Sequence, residues 1–105
     1  MIFSTTGNIE GRPVRQYCGL VAGEAVAGVN AIRDMFAGVV NMTGGRAKGI
    51  EEELRKAREV ATDILEKNAL EYGANAVIGI DVDYEVMGKD NGMIMVSVTG
   101  TAVII

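Results

Sequence analysis

Residues 73–88 read GANAVIGIDVDYEVMG, and the alternation within them decides the fold. Successive side chains of a strand point to opposite faces. Asp81, Asp83 and Glu85 therefore fall on one side, and Ile78, Ile80, Val82, Tyr84 and Val86 on the other. That is the pattern of a half-buried strand. A second strand, Met93 to Ile105, follows a short Gly-flanked turn. With the turn centred on Asp90, Asp81 lies opposite Thr99, Asp83 opposite Ser97 and Glu85 opposite Met95. One face of this C-terminal hairpin then sets carboxylates against hydroxyls.

The pattern changes upstream. From Ile50 to Tyr72 the residues Leu54, Ala57, Ala61, Ile64, Leu65 and Asn68 share one stripe of a long amphipathic helix. Glu51–Arg55, Glu52–Lys56 and Asp63–Lys67 are spaced as favourable i,i+4 pairs. Glu51, Glu52 and Glu53 suit the positive end of the helix dipole, and Gly73 is a natural stop. Small stripe residues Ala57 and Ala61, with Gly79 on the following strand, predict close helix–sheet contact.

The N-terminal half carries three further elements. Ile2 to Thr6 reads as a short strand, and Val14 to Gly28, with Gly19 and Gly23 inside it, as a bent or bulged one. Val29, Ile32, Met35, Phe36, Val39 and Val40 fall on one face of a shorter helix ended by Thr43-Gly44-Gly45. The expected fold class is α+β: a small single-layer sheet with one long helix packed on it and a C-terminal hairpin.

A chain of 105 residues is one domain, 1–105, too short for two separate cores. Half of it is apolar (49%), yet it has two Phe, three Tyr and no Trp, so small aliphatic residues fill a small core quickly. The surplus predicts burial between subunits, because large exposed apolar patches mark interaction sites. A net charge of −4 argues against a general nucleic-acid binder, which needs a basic patch to displace counterions. The single Cys18 permits no intrachain disulfide and fits a reducing compartment. No basic n-region precedes an apolar core at the N-terminus, and no uncharged apolar run nears the ~18 residues of a membrane span. The expectation is a cytoplasmic protein with neither nucleic acid nor membrane as partner.

Chemistry is sparse. The 14 glycines include no pair separated by one residue, which rules out a dinucleotide fingerprint. The loop Gly44–Gly49 precedes a helix but lacks P-loop spacing, and Glu51, Glu52 and Glu53 would repel a phosphate there. With no histidine, the usual base at neutral pH is missing, and no catalytic residue is assigned. Cys18 lies in an apolar, Gly-rich strand, where a thiol is usually an inert small hydrophobe. One cysteine per chain closes no soft-metal site, unless a symmetric ring gathers several copies. Asp81, Asp83 and Glu85 offer hard oxygen ligands for a divalent cation, although i and i+2 lie about 6.6–6.8 Å apart along a strand. The plainer reading is a solvated polar face, paired with Arg12 or Arg15. Glu24, an acid among apolar residues, would at a subunit interface be paired or hydrogen-bonded.

Three stretches taken together, GLVAGEAVAGVN (Gly19 to Asn30), EEELRKAREVA (Glu51 to Ala61) and GANAVIGIDVDYEV, resemble the YbjQ-like family over nearly the whole chain. These are small bacterial and archaeal proteins carrying a heavy-metal-binding label. The resemblance implies a dodecin-like subunit that assembles into a five-fold ring, hence a homopentamer. It places Glu24, Asp81, Asp83, Tyr84 and Glu85 in family motifs without giving them roles. Cys18 stands outside that pattern, so fold and assembly carry over rather than the metal.

The expected function is a non-enzymatic, homo-oligomeric binding or scaffolding module. Its candidate ligand residues are Glu24, Asp81, Asp83, Glu85, Ser97 and Thr99, with a divalent cation as the cofactor such a face would take. Two alternatives stand beside it: a carboxylate-based hydrolase acting across a subunit interface, and metal handling by a ring of Cys18 thiolates, with Cys18, Asp81 and Asp83 as the metal candidates.

Overall fold

The computed structural model describes residues 1–27, 47–88 and 92–105. The expected helix over Val29 to Val40, the first half of the Gly44–Gly49 loop and the turn residue Asp90 lie outside them. In chain order the elements are β1 (Ile2–Phe3), β2 (Gln16–Ala27), α1 (Ala47–Glu71), β3 (Ala76–Met87) and β4 (Met93–Ile104). The strands form one mixed sheet in the order β1-β3-β4-β2. β1 runs parallel to β3, whereas β4 is antiparallel to both β3 and β2. Helix α1 covers β2 and β4 and barely touches β3.

The hairpin register follows the expected pairing, with Asp81 opposite Thr99, Asp83 opposite Ser97 and Glu85 opposite Met95. The alternation breaks at one point. Gly79 and Ile80 both face Gly100 in a β-bulge, and Gly79 adopts φ +60. An extra residue rotates everything before it to the other face. Ile78 therefore does not join Ile80 and Val82 but sits on the acid side of the sheet. There it packs with Ala76, Val103 and Ile105 under Ile9 and Val14 of the N-terminal loop, a second small core.

Helix α1 begins at Ala47, so Glu51, Glu52 and Glu53 lie past its first turn rather than at the dipole end. Their ion pairs form Glu52–Arg55, Glu53–Lys56 and Arg55–Glu59, a different set from the expected spacing. These exposed pairs add little to stability. The helix ends as expected. Gly73 N–H donates to the Leu70 carbonyl, Ala74 N–H to that of Ala69, and Gly73 takes φ 77, which is a Schellman stop.

Close helix–sheet contact depends on Gly23, not Gly79. A Cβ on Gly23 would lie 1.9 Å from the Ala61 carbonyl oxygen and 2.7 Å from the Leu65 nitrogen, whereas one on Gly79 meets nothing. The buried stripe is Ala57, Ala61, Leu65 and Ala69; Ile64 turns outward at 39% exposure. Asn68 Nδ2 donates to the Ala22 carbonyl across the contact, 2.8 Å away. β2 is bulged as expected, between Tyr17 and Gly19. The first strand is shorter than its sequence pattern, two residues rather than five. Past Phe3 the backbone follows the bulge instead: Gly79 N–H donates to the Thr6 carbonyl and Ile80 N–H to that of Ser4.

Candidate functional site

The sheet face away from α1 gathers most of the polar candidates. β4 runs through its middle, with Ser97 and Thr99 half-buried. Ser97 has Asp83 on one side and Glu24 on the other; Thr99 has Asp81 and Ala22. Met95 separates Glu85 from Val26. All six expected ligand residues thus share one face, and Glu24 and Asp83 flank a single hydroxyl. Two strand spacings, roughly 10 Å, separate those two carboxylates.

All four carboxylates lie open to water. The Asp83 carboxyl is raised above the ordinary aspartate range, first by a side-chain hydrogen bond with Asp81, then by the negative charge of Asp81. The two acids lean together, joined by that hydrogen bond. Nothing dry surrounds them, so this is not the desolvated carboxyl that general-acid catalysis near neutral pH uses. Arg12 and Arg15, the expected partners, do not pair with them; among the described residues the ion pairs lie along α1.

Cys18 sits on the opposite face, half-buried against the core beneath α1. It cannot share an ion with Asp81 or Asp83 of its own chain. Among the described residues no group of three His, Cys, Asp or Glu side chains is placed to hold a metal. The acid and hydroxyl row is instead a spread of acceptors, suited to several hydrogen bonds from a polar ligand or a hydrated cation.

A second feature escaped the sequence reading. Because α1 leaves β3 uncovered, a trough of about 350 Å³ opens between them. Phe3, Ile80, Val82 and Val98 form its floor, and Arg58 and Thr62 rise along its helix side. Farther along β3, Arg58 Nη1 donates to the Tyr84 hydroxyl at 2.8 Å and ties helix to strand. In sequence Arg58 is one more charge on a polar helix flank, and only the offset of α1 across the sheet gives it this partner.

The chain belongs to the YbjQ family: the family profile described as "Putative heavy-metal-binding" matches residues 1–105. Its fold is similar to that of a DUF74-family protein of unknown function from Pediococcus pentosaceus ATCC 25745, whose crystal structure was determined at 2.73 Å. The two share 17% identity with a TM-score of 0.66, over 100% of this chain and 97% of that one. The family has no established activity, and the heavy-metal description finds no ready ligand set among the described residues.

Proposed function

We propose that this chain is a homo-oligomeric, non-enzymatic binding or scaffolding module, built as a pentameric ring. The observation that supports it is apolar surface left exposed beside the β2 edge. Tyr17 is 70% exposed, Leu20 75%, Val26 52% and Val60 50%. A small monomer gains nothing from holding this many large apolar side chains in water, and exposed apolar surface favours association. In the ring the face carrying Glu24, Asp81, Asp83, Ser97 and Thr99 takes a small polar ligand or a hydrated divalent cation. A cytoplasmic location accords with the one free cysteine, and among the described residues no helix is long and apolar enough to cross a membrane.

Native mass spectrometry on untagged protein tests this. A pentamer is the expected species, and extra mass on it would identify the ligand. A bare monomer at micromolar concentration would overturn the reading.

A further inference from the structure

The sheet face away from α1 changes character toward the hairpin end. Along β4 the hydroxyls of Thr99 and Ser97 give way to Met95 and Met93. On β3, Met87 stands directly opposite Met93 and Glu85 opposite Met95. Val26 of β2 flanks Met95 on its other side. Three of the chain's six methionines thus meet on two successive rungs of one face.

These methionines do not fill a core. Val96 and Val98 turn the other side of β4 inward, neither buried cluster takes in a methionine, and Met87 is 38% exposed. Strand propensity does not call for them either, since β-branched and aromatic residues suit such a face better. What methionine supplies is a flexible chain carrying a neutral, polarisable thioether. Directly opposed Cβ atoms stand about 4.5–5.5 Å apart, and diagonal ones such as Met87 and Met95 about 7–8 Å. Met93 and Met95 are about 6.6–6.8 Å apart along the strand. Each sulfur lies two bonds beyond its Cβ on torsions free to turn, so the three can close on one point above these rungs.

Uncharged sulfur is selective among ions. Calcium and magnesium want oxygen ligands, and zinc favours thiolate and imidazole, whereas thioethers suit Cu(I). We propose that Met87, Met93 and Met95 form a three-thioether site for Cu(I), with Glu85 beside Met95 placing a negative charge next to the ion. The site is separate from the acid and hydroxyl row and does not depend on the oligomeric state. It is latent rather than ready-made. Met93 rests over Gly88, where a Cβ would stand 2.6 Å from Met93 Cε, and it closes the set by turning off that glycine. No backbone movement is required.

Anaerobic titration of the full chain with Cu(I), in competition with a chromophoric Cu(I) chelator, tests this. A single ion per chain is expected, and the methyl NMR signals of Met87, Met93 and Met95 should shift with it while other methionine methyls stay in place. Leucine nearly conserves the volume of methionine, so the triple variant Met87→Leu, Met93→Leu, Met95→Leu should keep the thermal midpoint and lose the ion. Each single replacement should weaken binding by more than roughly tenfold, the least that loss of a supporting group around a metal causes. Cys18→Ala should bind as the parent does. A thioether carries no proton, so affinity should hold from about pH 7 to about pH 5, where a thiolate site weakens. Binding that survives the triple variant, falls with Cys18→Ala or falls steeply over that pH range assigns the ion to other ligands and overturns the proposal. Absence of Cu(I) uptake by the parent protein overturns it as well.

Discussion

The two faces of strand β4 are built from neighbouring residues and behave oppositely. Val96, Val98 and Ala102 are buried beneath α1, whereas Ser97, Thr99 and Thr101 alternate with them on the far face and stay partly in water. The first set is constrained atom by atom. The second is constrained only by its register, which places Asp83 and Glu24 on either side of Ser97. Between Val96 and Ala102 the tight packing therefore lies on one face and freedom to vary for function on the other, until Val103 closes the far face in the second core.

The sharpest way to break this contrast is Gly23→Ala. Its Cβ would meet helix backbone rather than a flexible side chain, so α1 must lift off the sheet. The cost should exceed the usual overpacking range of about 1–3 kcal/mol, read as the denaturant midpoint. Leu65→Ala, at a fully buried position, should cost about 3 kcal/mol through the lost transfer energy and the cavity left behind. Asn68→Ala removes the bond to the Ala22 carbonyl and should cost about 1 kcal/mol. A stability loss from Asn68→Ala as large as that from Leu65→Ala would mean the helix contact is mainly polar.

The open face should respond differently. Asp81→Asn with Asp83→Asn is expected to leave the thermal midpoint and the assembly unchanged while abolishing ligand or cation binding, read by calorimetric titration. Failure of the double variant to assemble would make these acids structural. The smallest effect is a titration. Asp83 should protonate above the ordinary aspartate range in carboxyl NMR, and Asp81→Asn should return it toward that range. The folded protein binds this proton more tightly than the unfolded chain does. The contribution to stability is therefore complete below the ordinary aspartate pKa and disappears as pH rises through the raised value. An unchanged titration in the Asp81→Asn variant would assign the shift to another cause.

Much of this face was legible in the chain because alternation and turn length leave a hairpin little choice of register. Asp81 meets Thr99 and Asp83 meets Ser97 as residues 73–105 predict. What alternation could not show was the bulge at Gly79 and Ile80, which transfers Ile78 to the acid side. A glycine inside a strand pattern signals either a bulge or a close approach. Gly79 is the bulge, Gly23 is the close approach, and their local sequences do not tell them apart. Glu24 was visible as an odd acid, but its place across Ser97 from Asp83 depends on which strand β2 joins. Arg58 and the trough were not visible at all, since both follow from where α1 rests.

By itself the sequence determined the α+β class, the long helix and its Gly73 stop, the hairpin register and the family. Each is a local matter of period, capping or turn length. Only the tertiary structure decided the strand order β1-β3-β4-β2, the seat of α1 on Gly23 and the trough beside β3. Those depend on which elements meet across long stretches of chain, and packing settles that where no local pattern can.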